Sequence, residues 1–230
     1  YNAHPDFVNL NPNLDIESAA VIGNGNVAVD VARVLAKTPA EMEGSDLAQH
    51  AAEIIHSSSL KTIYMFGRRG PLEAKFTPKE LGELGALSDC VTVVNPDHLP
   101  KDTDDISPAM RKNLVHLEQF SKNKPGSKRI TLHLEFYARP HAIIGQNSVE
   151  TLKLERTTVQ NGQCVGSGDF FEIDCGLIVP CIGYRTLPIP GVPFDNERGR
   201  FLNENGVIAD NLYCTGWARR GPSGTIGTNR

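Results

Sequence analysis

Gly23-Asn24-Gly25-Asn26-Val27-Ala28 follows an apolar run, Ala19-Ala20-Val21-Ile22, and precedes a stretch with helical periodicity. A pyrophosphate is doubly charged and asks for backbone N–H donors. A helix N-terminus supplies these together with the positive end of the helix dipole. In that setting Gly23 makes the tight turn, Gly25 removes the Cβ from the path of the phosphate, and Ala28 lets helix and strand pack closely. Gly-x-Gly-x-x-Ala is a weak signal alone. Its place between an apolar strand and an amphipathic helix makes it a candidate dinucleotide site.

A second run, Ile63-Tyr64-Met65-Phe66-Gly67, ends in Arg68-Arg69-Gly70-Pro71. An acidic residue here reads the ribose 2′-hydroxyl of NAD, and it would repel a 2′-phosphate. Two adjacent guanidiniums instead suit that phosphate, each charge-assisted hydrogen bond contributing about 1.5–3 kcal/mol. Together the two stretches specify NADP(H). The reader of the 2′ position normally stands about 20 residues past the glycines. Here it stands farther on, and an inserted helix over 46–57 accounts for the extra length.

The elements that must position these residues follow from periodicity. A strand over 19–23 is followed by a helix over 26–37 with Val27, Val31, Val34 and Leu35 on its apolar face, ended by Pro39. The second helix starts near Asp46 and turns Leu47, Ala51, Ile54 and Ile55 to one side. Strand 62–66 is continuously apolar, as expected for a parallel sheet covered on both faces. Thr77-Pro78-Lys79-Glu80 is a capped helix start. A strand over 91–94 and a helix over 108–120 follow it. Then 130–136, 141–145, 149–157 and 162–165 read as an antiparallel meander, and 176–182 as a return to the parallel sheet. Beyond Gly183 the chain turns rich in Pro and Gly, with one more strand at 211–215. The fold class is therefore α/β: a Rossmann-like parallel sheet with helices on one side and an antiparallel β-meander on the other.

Bulk properties narrow the function classes. The chain has 230 residues, 40% hydrophobic and 22% charged, and can bury a substantial core. A net charge of -4 gives no reason to expect nucleic acid or an anionic membrane as partner. No apolar run approaches the length of a membrane span. The five cysteines (Cys90, Cys164, Cys175, Cys181, Cys214) contain no Cys-x-x-Cys, and the histidines form no ligand motif, so no metal site is expected. Cys175, Cys181 and Cys214 lie in apolar runs and read as buried structural thiols, consistent with a reducing cytoplasm. A short-chain dehydrogenase would need Tyr-x-x-x-Lys. None of Tyr1, Tyr64, Tyr137, Tyr184 or Tyr213 has a lysine four residues later.

Gly23-Asn24-Gly25-Asn26-Val27-Ala28 resembles the NADP fingerprint of adrenodoxin reductase and its bacterial relatives, the FAD-containing ferredoxin–NADP reductases. Gly67-Arg68-Arg69-Gly70-Pro71-Leu72, with Phe76-Thr77 and Glu80-Leu81, is similar to the same family's next segment. Gly216-Trp217-Ala218-Arg219-Arg220-Gly221-Pro222-Ser223-Gly224-Thr225-Ile226-Gly227 is similar to a third. The resemblance runs over nearly the whole chain.

It implies the NADP domain of a two-dinucleotide-binding flavoprotein over residues 1–183 and a partial C-terminal segment of the FAD-binding domain over 184–230. The cofactor-binding set it implies is Gly23, Asn24, Gly25, Asn26, Val27, Ala28, Arg68, Arg69, Glu80, Trp217, Gly224 and Ile226. In it Glu80 orients the nicotinamide end, and Trp217 and Gly224 line the place where flavin and nicotinamide meet. The implied activity passes hydride between NADPH and FAD and single electrons to or from a ferredoxin. Such a partner is acidic, and Arg111 and Lys112 on the helix over 108–120 are candidate contacts.

The family's own FAD fingerprint has no counterpart here, and Tyr1-Asn2-Ala3-His4-Pro5-Asp6 is similar to the middle of the family's chain. The expectation is an NADP-binding region of a longer reductase, inactive in isolation for lack of the FAD site. The alternative is a non-catalytic NADP-binding module.

Overall fold

Strand β1 (Ser18–Ile22) sends Ala19 and Val21 into one core and Ala20 and Ile22 into another. A strand so placed has no solvent face, which is why its sequence is a plain apolar run rather than an alternating one. The structure is a computed structural model and describes residues 4–7, 9–104, 106–222 and 224. The chain divides into two units, 1–181 and 182–230.

In the first unit β1 is paired in parallel on one side with β2 (Thr62–Phe66) and on the other with β8 (Leu177–Pro180). The sheet is completed by β4 (Ile130–Glu135), next to β2, and β3 (Cys90–Val94) at the edge, in the order β3-β4-β2-β1-β8. One face is covered by α1 (Asn26–Ala36), α4 (Pro78–Gly85) and α5 (Pro108–Phe120). Leu81, Leu84, Leu114, Leu117 and Phe120 pack there against Ile63, Met65, Leu132 and Leu134. The opposite face carries a three-stranded antiparallel sheet of β5 (Ala138–Ile144), β6 (Thr151–Gln160) and β7 (Gln163–Asp174). Its Leu152 and Leu154 meet Ala20, Ile22 and Phe66. Helices on one side and a meander on the other is the expected architecture.

Several local expectations are corrected. The segment from Ile130 is a central parallel strand, not part of the meander; α5 carries the chain back so that it inserts between β2 and β3. The last meander strand runs on to Asp174 instead of ending at 165, through a register irregularity in its pairing with β6. Helix α1 buries Ala28, Val29, Ala32 and Ala36, while Val27 is 39% exposed and Val31 and Leu35 only flank the core. Close approach to the sheet selects the alanines. Pro39 does not merely end α1: it opens a short helix, α2 (Pro39–Met42), capped by Thr38.

The expected insertion before β2 is present as α2 plus α3 (Gln49–His56). The latter starts after an Ala48 cap rather than at Asp46, and Ala51 and Ile55 are buried with Leu14. In the α2 capping box, Glu41 Oε2 accepts from the Thr38 N–H and hydroxyl at 2.9 Å, and Glu41 Oε1 accepts from the Ser88 N–H at 2.9 Å. Burial alone raises the Glu41 carboxyl, but these hydrogen bonds outweigh it and hold it at about 2.

The second unit contains two short hairpins, Phe194–Asp195 with Arg200–Phe201 and Val207–Ala209 with Leu212–Tyr213, and a short helix, Gly216–Arg220. Asn203 ties them together, donating to Phe201 O and Arg219 O and accepting from the Gly206 N–H. The strand expected at 211–215 is the shorter Leu212–Tyr213 arm, because Asn211 turns with φ 62°. All five cysteines are unpaired thiols. Cys90 and Cys175 are buried, whereas Cys181 and Cys214 are only partly covered, less than their apolar runs suggest. No helix among the described residues is long and apolar enough to cross a membrane.

Candidate functional site

Parallel register places the two motifs side by side. Ile22 pairs with Phe66, so Gly23 and Gly67 leave the carboxyl end of the sheet from adjacent strands, roughly 4.8 Å apart. The Gly23 N–H donates to Phe66 O at 2.8 Å, and the Cys181 N–H donates to Ile22 O at 2.7 Å. Gly23 has φ 140°, and a Cβ there would overlap the Cys181 carbonyl. The turn thus requires glycine twice over, for its backbone angle and for its neighbour.

Gly25 is different. It is the N-cap of α1 with φ -121°, and a Cβ would meet only Lys75 Cβ at 3.9 Å. The protein's own packing therefore does not demand glycine at this position. What the missing Cβ leaves clear is the approach to the helix end. That end has no side-chain cap and no acid in its first turn. Intrahelical bonding begins with the Val29 N–H to Gly25 O, leaving the N–H groups of Asn26, Val27 and Ala28 directed outward. The Asn24 amide packs on Gly67, and its Oδ1 is buried without a partner among the described residues. These features fit a dinucleotide pyrophosphate.

Neighbouring segments hold the turn from outside. The Lys75 N–H donates to Asn24 O at 2.7 Å, and the Thr77 N–H donates to Asn26 Oδ1 at 2.8 Å. Thr77 also caps α4 by accepting from the Glu80 N–H at 3.4 Å. The Glu80 carboxylate lies 3.6 Å from Arg33 of α1, which also pairs with Glu83. Glu80 is thus half-buried in an ion-pair cluster between α1 and α4.

Arg68 is exposed and Arg69 partly so, and among the described residues neither guanidinium has an ion-pair partner. Their backbone, by contrast, is held throughout. Gly67 O accepts from the Ala138 N–H at 3.1 Å, Arg68 O from Thr157 Oγ1 at 2.8 Å, and Arg69 O from the Tyr137 N–H at 3.2 Å. Tyr137 has φ 55°, and its ring covers Gly70 so closely that a Cβ there would overlap the phenol. Burial, with a contribution from Glu73, raises the Tyr137 hydroxyl above its ordinary pKa. Beneath the loop, burial and then Arg156 push His98 down, while burial pushes Glu135 up against the pull of Arg156.

The sequence reading missed Lys75, Tyr137 and Thr157. None lies in a motif, and only tertiary structure brings them to the loop. In the second unit, Trp217 Nε1 donates to Gly224 O at 3.2 Å, and the Trp217 ring tilts against Tyr184 with centroids 5.6 Å apart. Ile226 lies outside the described residues. Trp217 and Gly224 alone make no flavin cradle. Arg111 and Lys112 are both exposed on α5.

No protein-family model matches the chain. Individual relatives do. NADPH-ferredoxin reductase FprA of Mycobacterium tuberculosis is 38% identical over 241 residues, covering 100% of this chain and 53% of that protein. The mitochondrial NADPH:adrenodoxin oxidoreductase of Homo sapiens is 33% identical over 249 residues, covering 99% of this chain and 51% of its own length. The structure of M. tuberculosis FprA in complex with NADPH superposes with a TM-score of 0.93 at 37% identity, over 100% of this chain and 53% of that one. The chain thus spans about half the length of the relatives it matches. It is, from end to end, a homologue of part of the adrenodoxin reductase-like NADPH–ferredoxin reductases.

Proposed function

We propose that this chain is the NADP(H)-binding region of a flavin-dependent ferredoxin–NADP+ reductase, with residues 1–183 holding the nucleotide and 184–230 contributing to the flavin domain. The observation that carries the reading is an uncapped helix end held in register beside two arginines that follow the adjacent strand and have no ion-pair partner among the described residues. The N–H groups of Asn26, Val27 and Ala28 cradle the pyrophosphate, and Gly23 and Gly25 allow its approach. Arg68 and Arg69 take the 2′-phosphate. Glu80 and the Arg33 it faces steady the wall beside the nicotinamide end. FAD, when bound in the whole enzyme, supplies a hydride acceptor that releases electrons singly. Trp217, Gly224 and Ile226 are the flavin-side candidates that the resemblance implies.

A ferredoxin is the proposed partner, with Arg111 and Lys112 as candidate contacts. Five unpaired thiols suit a reducing compartment such as the cytoplasm. A non-catalytic nucleotide-binding module is not favoured, since the relatives that match the whole chain are named as reductases. The test is electron transfer by the full-length protein loaded with FAD. NADPH should support ferredoxin reduction at least tens-fold better than NADH, given two charge-assisted contacts to the 2′-phosphate. Flavin reduction by neither nucleotide would end this reading.

A further inference from the structure

The notable feature of the arginine loop is how its backbone is held. Three consecutive carbonyls, of Gly67, Arg68 and Arg69, each accept a hydrogen bond from the antiparallel sheet or from the residue that leads into it. Two of the donors are backbone amides, Ala138 and Tyr137. The third is a side chain, the Thr157 hydroxyl, 2.8 Å from Arg68 O and 5% exposed. The Thr157 N–H donates in turn to Tyr137 O at 2.9 Å, so both donors to the arginine carbonyls form one linked unit.

The chain is irregular where it enters this sheet. Tyr137 is a non-glycine residue at φ 55°, a conformation costing about 1 kcal/mol, and the β6–β7 register shifts between Glu155 and Thr157. With Tyr137 in this conformation its N–H reaches Arg69 O, its carbonyl takes the Thr157 N–H, and its ring lies over Gly70, while the Thr157 hydroxyl reaches Arg68 O.

We propose that Thr157, acting with Tyr137, is a positioning residue that fixes the backbone of Arg68 and Arg69 and so sets the preference for NADP(H) over NAD(H). This rests on the 2′-phosphate reading above. Two exposed arginines on a free loop would lose side-chain and backbone entropy on meeting a phosphate, whereas a backbone already anchored at both carbonyls loses less. Thr157 touches the nucleotide nowhere in this account; it acts through Arg68. Because the hydroxyl is the only side-chain donor of the three, it can be removed without disturbing the other two.

The test compares NADP+ and NAD+ affinities of the intact protein with those of Thr157→Val and Thr157→Ser. Valine keeps the branched shape that suits a strand and deletes the hydroxyl; serine restores it. Thr157→Val should weaken NADP+ binding about three- to ten-fold, the range of one neutral hydrogen bond, and leave NAD+ binding within about two-fold. Thr157→Ser should recover most of the loss. A merely structural role would lower both affinities together, or neither, and either result overturns the proposal. Should Thr157→Val not fold, Gly70→Ala, which displaces the Tyr137 ring, is the second probe, expected to lower the NADP+/NAD+ ratio in the same direction. An unchanged ratio there also overturns it. If the unaltered protein shows no NADP+ preference, the failure lies with the nucleotide reading itself. If it does and Arg68→Ala abolishes it while Thr157→Val does not, only the positioning role fails.

Discussion

The glycine turn and the arginine loop leave adjacent strands at the carboxyl end of the sheet, yet they are held in opposite ways. The turn is specified locally: Gly23 by its own φ and the neighbouring carbonyl, the helix end by its first backbone amides. The loop's two side chains are local, but its backbone conformation is borrowed from Tyr137 and Thr157, which follow Arg68 by 69 and 89 residues in the chain. Groups that recognise a generic pyrophosphate can be written into a short motif. Under the proposed reading, those that discriminate one nucleotide from another depend on a second sheet.

The comparison is most easily broken within the turn. Gly23→Ala should destabilise the fold by about 2–4 kcal/mol, because it combines a strained φ with overlap against a fixed backbone carbonyl. Denaturant midpoints measure this, and a change under about 0.5 kcal/mol would show that the turn is not over-determined. Gly25→Ala should behave differently. Its Cβ meets only Lys75 at an ordinary contact distance, so stability should stay within about 0.5 kcal/mol while NADP+ affinity falls at least tens-fold. Equal damage to folding by the two alanines would erase the distinction between a structural and a ligand-clearing glycine.

Smaller effects lie farther from the site. The folded Glu41 carboxyl is held at about 2 against an ordinary 4.5. Its pairing with Thr38 and Ser88 therefore contributes stability that is fully present above pH 4.5 and is lost as pH falls towards 2. Glu41→Gln should flatten that part of the stability–pH curve and leave nucleotide preference unchanged. Thermal melts across the acid range would show it. At the outer surface, Arg111→Glu with Lys112→Glu should raise the apparent KM for ferredoxin a few-fold at low salt, fading as salt rises, with the KM for NADPH unaffected. A salt-independent effect would remove these residues from the docking face.

Much of this arrangement is legible in the sequence where physics is local. Thr62–Phe66 and Pro108–Phe120 have the expected bounds, since a doubly buried strand and a Pro-initiated amphipathic helix both leave strong patterns. Sheet order is another matter. Ile130–Glu135 stands beside strands of the meander in sequence, and only the α5 crossover reveals it as a neighbour of β2. The buried face of α1 also escaped, because close helix–sheet approach favours Ala28, Ala32 and Ala36 over the larger valines that hydropathy ranks higher. Thr157 and Tyr137 carry no signal of their own: a threonine in a strand is ordinary, and a left-handed tyrosine is visible only in φ.

Calorimetric titration with NADP+ and NAD+, repeated for Arg68→Ala combined with Arg69→Ala, decides whether these arginines read the 2′-phosphate. NADP+ should bind tens-fold tighter or more, and the double variant should lose this preference while keeping NAD+ affinity within about two-fold. Equal affinity for both nucleotides in the unaltered protein, or a double variant that still prefers NADP+, would contradict that role.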